Sequence, residues 1–184
     1  MTGADDEVLV FDTGPLSHFA KEGWLGVLRA VTGRRTAVVP DTVADELRAE
    51  AARLPHLQLV LQAPWLVERS LTGAAELAHF ADFVSMLAAK GRNLGECGVL
   101  AYAKAHDATA IVDDGFARRA AQRYRVKVRG TLGLLCDAVH DGLLTVELIS
   151  ALADDLLEGE YRLPFLPGGF RKWAESRDLF PPGS

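Results

Sequence analysis

The chain has 184 residues, is 49% hydrophobic, and carries a formal net charge of −5 with a pI near 5.5. That length supports one sizeable core and is short for two, while the acidic balance excludes tight, non-specific binding to nucleic acid over the whole surface. Its two cysteines, Cys97 and Cys136, have no C-x-x-C spacing, which suits a reducing compartment and small core positions.

Residues 1–7 are acidic and lack an apolar leader. No later run approaches the roughly 18 apolar residues of a membrane span, so a cytoplasmic protein without membrane contact is expected. Val8-Leu9-Val10-Phe11 is a continuous apolar run, the mark of a strand covered on both faces, and it ends at Asp12. Gly14 and Pro15 open a helix, because Pro is tolerated in a first turn. Leu16, Phe19, Trp24, Leu25 and Leu28 then supply apolar contacts through that helix, a break at Gly23 and a second helix. Residues 36–39 read as a second strand. After Pro40, Asp41 or Thr42 caps a helix in which Val43, Leu47, Ala51 and Leu54 recur at helical spacing. This puts Glu46 beside the buried face near the N-terminal end, and Pro55 stops the helix.

Residues 57–69 read as extended segments broken at Pro64. Residues 74–90 form an Ala-rich helix with Leu77, Phe80, Ala81, Val84 and Leu87 on one face, ended by Gly91. A helix from about Asn93 to His106 leads into a buried strand over residues 108–112, which stops at Asp113. Residues 115–123 are helical. Residues 124–129 then alternate Val126 and Val128 with Arg125, Lys127 and Arg129, the pattern of a half-exposed edge strand. Two last helices, 131–140 and 146–157, flank a turn at Gly142. Strands alternating with helices predict a three-layer α/β/α sandwich around a central, mainly parallel sheet, whose ligands bind beyond the carboxyl ends of the strands. One domain over residues 1–160 is expected, followed by a tail over 161–184 rich in Pro, Gly and aromatics.

Asp12, Glu46, Glu96 and the Asp113-Asp114 pair all fall where a strand passes into a helix or where a helix begins. Each has an ordinary explanation: Asp12 and Asp114 as N-caps, Asn93-x-x-Glu96 as a capping-box spacing, Glu46 as a solvated first-turn acid. Together, in a parallel fold, they share one edge of the sheet. Two carboxylates about 4 Å apart repel by about 4 kcal/mol at an effective dielectric of 20, so such a cluster needs a hard cation. Oxygen-only ligands suit Mg²⁺ or Mn²⁺ over zinc. The five histidines are dispersed and read as surface or helix-end residues. Gly14 stands where a haloacid-dehalogenase phosphatase would need a second Asp, and the acidic pair comes too late for a receiver domain. No G-x-G-x-x-G, Walker A or G-x-S-x-G sequence is present.

Val10-Phe11-Asp12-Thr13, the segment VPDTVADE over 39–46, Asn93-Leu94-Gly95-Glu96-Cys97 and Ile111-Val112-Asp113-Asp114 resemble, in order and spacing, the four acidic motifs of PIN-domain nucleases, including VapC-type toxins. Gly130-Thr131-Leu132-Gly133-Leu134-Leu135 and Gly142-Leu143-Leu144 resemble the end of one bacterial PIN subgroup, so the likeness spans roughly residues 7–144. The resemblance implies a metal-dependent endoribonuclease that hydrolyses RNA phosphodiester bonds. Asp12, Glu46, Glu96 and an Asp of the late pair would hold one or two Mg²⁺ or Mn²⁺ ions, and Thr13 would orient the first acid or a water. The metal would activate water and neutralise charge on the phosphorane, leaving a 5′-phosphate and a 3′-hydroxyl.

The resemblance also implies a homodimer and a cognate antitoxin protein that crosses the active-site groove. Phe165, Phe170, Trp173 and Phe180 in the tail either join such contacts or fold back on their own domain. Glu96 stands where many members carry Asp. In the late motif, an aromatic three residues after the acid selects Asp113 through Phe116, whereas alignment by the acidic pair selects Asp114, the favoured choice. Arg118, Arg119, Arg123, Arg125, Lys127 and Arg129 form the densest basic stretch. Its last three read as edge-strand charge, and Arg118, one turn after Asp114, is the candidate for a substrate contact. Arg34-Arg35 reads as loop solvation. The alternative function is a PIN-like module that binds RNA or a protein with little or no catalysis, its acids serving as caps.

Overall fold

The first strand of the chain lies in the middle of the sheet. In the computed structural model, which describes residues 7–88 and 92–179, the strands β1 (Val8–Phe11), β2 (Thr36–Pro40), β3 (Leu66–Arg69), β4 (Thr109–Ile111) and β5 (Lys127–Arg129) form one sheet. It is wholly parallel, in the order β3-β2-β1-β4-β5. The central positions follow from composition. Leu9, Val10 and Phe11 of β1 and all of β4 are buried, whereas the edge strands β3 and β5 carry Glu68, Arg69, Lys127 and Arg129 in exposed positions. Charge on an edge discourages pairing with a second sheet.

Ten helices are described: α1 (Thr13–Lys21), α2 (Leu25–Thr32), α3 (Asp41–Glu50), α4 (Leu57–Leu61), α5 (Ala74–Leu87), α6 (Leu94–Ala105), α7 (Gly115–Arg123), α8 (Thr131–His140), α9 (Val146–Glu158) and α10 (Phe170–Glu175). With the sheet they make the α/β/α sandwich. Helix α6 is apolar around most of its girth, with Cys97, Val99, Leu100, Ala101 and Ala103 all buried, and it packs on β1, β2 and β4 with α5 alongside. A helix hydrophobic on nearly all sides belongs in a core. Cys97 and Cys136 are both free and buried, as expected.

Several expectations need correction. Residues 57–61 are the helix α4, not an extended segment; Leu57 and Val60 face the core, and five residues are too few to display a period. Helix α5 ends at Leu87, and the proposed stop at Gly91 lies outside the described residues. Its buried side carries Glu76, Phe83 and Leu87, while Leu77 is 50% exposed and Ala81 faces solvent. The cause is polar: Glu76 accepts the N–H groups of Thr72 (2.8 Å) and Gly73 (2.6 Å) and meets His106 Nε2 at 2.6 Å, which turns its side of the helix inward.

Neither Asp41 nor Thr42 caps α3. Pro40 holds the N-cap position, and Asp41 instead accepts the N–H groups of Thr42 and Leu71. Arg35 is not loop solvation, since it donates to the carbonyls of Val31 and Thr32 at the end of α2 and pairs with Glu7. In the tail, Phe170 is fully buried and its ring packs with Phe165 and Trp173, with α10 against α9. Phe180 lies outside the described residues.

Candidate active site

Strand order reverses between β1 and β4, and in open α/β sheets such a switch point leaves a crevice beyond the strand ends. Asp12 follows β1 directly, and its N–H donates to Ile111 O (3.2 Å) at the end of β4. Asp12 is only 7% exposed, and its Oδ1 is buried with no hydrogen-bond partner among the described residues. It occupies the N-cap position of α1 without making a side-chain cap. Burial, then the charge of Glu96 and more weakly that of Glu46, push its pKa up to about 8, against the opposing pull of the Thr13 and Gly14 N–H groups.

Glu46 is held from two sides. Thr13 Oγ1 donates to its Oε2 at 2.7 Å and Gly95 N–H to its Oε1 at 2.8 Å. The Thr13 hydroxyl therefore orients the second acid, while its N–H acts on the first. The contact depends on a close crossing of α3 and α6 made possible by Gly95 and Gly98. A Cβ on Gly95 would stand 2.5 Å from Glu46 Oε2, and one on Gly98 would stand 2.0 Å from Thr42 Oγ1. Residues three and four apart share a helix face, so Thr42 and Glu46 meet Gly98 and Gly95 as matched pairs.

Glu96 is half-buried, and its pKa is raised by burial and then by the charges of Glu46 and Asp114. The capping box does not form: Asn93 sits at the N-cap with φ 64° and no side-chain cap, which leaves the Glu96 carboxylate to the site.

The late pair divides. Asp114 caps α7, its Oδ1 accepting the N–H groups of Phe116 (2.9 Å) and Ala117 (2.8 Å), while its charge reaches Glu96. Asp113 turns toward α8, where it accepts Thr131 N–H (2.8 Å), Thr131 Oγ1 (2.5 Å) and the Tyr161 hydroxyl. Tyr161 in turn is pushed far above the ordinary tyrosine range by burial and by the charge of Asp113. Its ring packs on His18, with centroids 4.6 Å apart; His18 is a helix-end residue, in the last turn of α1, and is half-buried, which lowers its pKa.

Asp12, Glu46, Glu96 and Asp114 are thus electrostatically linked, and Asp113 is committed elsewhere. Among the described residues no three Asp, Glu, His or Cys side chains close into a ready metal cage. The donors nonetheless fit a hard divalent cation. They are all oxygens, and Asp12 Oδ1 is a buried carboxylate atom without a counter-charge. An open groove lined by Thr13, Glu46, Glu96, Arg92 and Leu94 reaches the acids from solvent.

Sequence reasoning missed three contributors. The Gly95-x-x-Gly98 spacing was a legible sign of close helix approach. Thr131 and Tyr161 carry no local sign, being 18 and 48 residues from Asp113.

A family model described as a PIN domain matches residues 8–165, most of the chain. The fold and its acidic switch point are those of a nuclease-like domain. The chain belongs to the PIN-domain family. That membership implies a nucleic-acid substrate and a general capacity for divalent metals. The match extends past Leu144, where the motif likeness ends, and takes in Tyr161. No curated protein sequence matches the chain. No helix among the described residues is long and apolar enough to cross a membrane.

Proposed function

We propose that this PIN domain is a Mg²⁺- or Mn²⁺-dependent endoribonuclease, the toxin of a type II toxin–antitoxin pair, acting in the cytoplasm as a homodimer and restrained by a cognate antitoxin protein. The observation that carries the catalytic part is the buried, unpartnered Oδ1 of Asp12 beside two further acids. Such an atom is costly unless a cation or a proton satisfies it. Asp12, Glu96 and Asp114 would hold the metal, with Glu46 completing the set. When bound, the ion supplies Lewis acidity that activates water and offsets charge on the phosphoryl oxygens. The chain's own contribution is positional: Thr13 and Gly95 fix the Glu46 carboxylate, and Thr131 and Tyr161 anchor Asp113 so that the turn after β4 presents Asp114. The toxin, antitoxin and dimer assignments rest on the motif resemblance.

Purified protein incubated with RNA is expected to cleave it with Mg²⁺ or Mn²⁺, to stop in EDTA, and to lose activity as Asp12→Asn. Cleavage that survives both EDTA and the substitution refutes the proposal. A second reading, a module that binds RNA or protein without cutting it, is favoured by the two capping bonds of Asp114, which give that acid a purely structural use. RNA binding without cleavage in either ion would support it.

A further inference from the structure

The basic stretch after the fourth acid separates into two groups in space. On β5, Lys127 pairs with Asp107 (2.9 Å) and Arg129 with Asp137 (2.5 Å), so both charges are internally matched. On α7, Arg118, Arg119 and Arg123 are exposed and make no ion pair among the described residues. An acidic protein that leaves three arginines unmatched on one short helix, next to its acidic centre, offers a local attraction for polyanions.

The same helix exposes an aromatic ring. Phe116 is 49% exposed although it lies in the first turn of α7, where its N–H donates to Asp114 Oδ1 at 2.9 Å. The Arg119 guanidinium lies over the Phe116 ring, 5.5 Å from its centroid. Phe116, Arg119 and Arg123 follow at three- and four-residue steps, so they form one stripe about 10 Å long that starts at the acidic site. Arg118 leans the other way, toward Gly130 at the start of α8. Its Nη1 stands 3.2 Å, and Asp113 Oδ1 3.1 Å, from the point where a Cβ would sit on Gly130.

We infer that the exposed stripe of α7 is the track for single-stranded RNA: a nucleobase stacks on Phe116, and flanking phosphates lie against Arg119 and Arg123. Stacked bases on an aromatic within a basic groove are the physical basis of sequence-tolerant single-strand binding, and arginine adds a cation–π contribution. A paired helix keeps its bases inside the stack and out of reach of one exposed ring, so the substrate class is single-stranded. This inference rests on the nuclease reading for the choice of RNA as the polymer.

The test measures binding apart from chemistry. A labelled single-stranded RNA of about 12 nucleotides, in EDTA so that no bond is cut, is titrated with the full chain and followed by fluorescence anisotropy, alongside the same RNA annealed to its complement. Phe116→Ala and Phe116→Leu are expected to weaken single-strand binding about tenfold, with Phe116→Trp holding or tightening it. Duplex binding should be weaker and indifferent to Phe116. Arg119→Ala and Arg123→Ala should each reduce the slope of log affinity against log salt by about 0.7.

The inference is overturned if Phe116→Ala binds as the unaltered chain does, if Phe116→Trp is as weak as Phe116→Ala, if the duplex binds as well as the single strand, or if no RNA binds. The two readings fail separately. Metal-dependent cleavage with Phe116-indifferent binding removes only the track. Phe116-dependent binding with no cleavage in Mg²⁺ or Mn²⁺ removes only the nuclease.

Discussion

The backbone N–H of Gly95 donates to Glu46 Oε1 across 2.8 Å, joining two helices that come from different parts of the chain. Gly95→Ala would drive a methyl into that carboxylate. Cleavage is expected to fall about tenfold or more, as it does when a positioned polar contact at a reacting centre is lost, with a smaller effect on thermal unfolding. Gly98→Ala should act the other way round. Its methyl meets Thr42 Oγ1 inside the helix crossing, costing about 1–3 kcal/mol in chemical denaturation through overpacking. Unchanged cleavage in Gly95→Ala would show that Glu46 is not needed where it stands.

Asp12→Asn separates metal binding from fold. With a folded pKa near 8 against about 3.9 unfolded, metal-free Asp12 favours its protonated form. Its contribution to stability is fully present below the unfolded value and is lost as pH rises through the folded one. The Asn variant lacks that decline, so in EDTA at pH 8 it should melt at or above the temperature of the unaltered chain. Added Mg²⁺ or Mn²⁺ should raise the melting point of the unaltered chain by mass action and leave Asp12→Asn little changed. An equal rise in both proteins would place the ion elsewhere.

Glu76 gives the opposite sign. Its hydrogen bond with His106, supported by the N–H groups of Gly73 and Thr72, lowers its pKa below the ordinary value. The resulting stability is present above the unfolded pKa of about 4.3 and is lost as pH falls through the lower folded value. Glu76→Gln should cost about 1–3 kcal/mol at neutral pH, with the difference from the unaltered chain shrinking below pH of about 4. A pH-independent difference would mean that shape, not charge, holds α5 in its rotation.

Tyr161→Phe removes one hydroxyl from a half-buried carboxylate. Asp113 would keep Thr131 and lose the Tyr161 contact, a loss of about 1.5–3 kcal/mol for a hydrogen bond to a charged group. Urea unfolding measures it. A variant as stable as the parent would show that water replaces the phenol at no cost.

Legibility in the sequence tracked how local each cause was. The runs at Val8–Phe11 and Thr109–Ile111 could be read because a strand covered on both faces needs no polar alternation, and their ends named Asp12 and Asp113. Helices α8 and α9 could be placed on either side of the turn at Gly142. The buried face of α5 was misread because Leu77 and Ala81 are apolar while Glu76 is charged. The N–H groups of Thr72 and Gly73, together with a partner 30 residues away, His106, make the charged residue the inner one. The ordering of Asp113 against Asp114 was likewise undecidable locally, since it turns on whether Thr131 and Tyr161 claim the first of them.

The central place of β1 shapes how the molecule is born. Both its neighbours, β2 and β4, follow it along the chain, and β4 comes only after Glu96, so Asp12 cannot face Glu96 and Asp114 until that far partner has been made and paired. Pairings so far apart along the polymer close late and slowly, so the acidic centre is among the last parts of the fold to assemble.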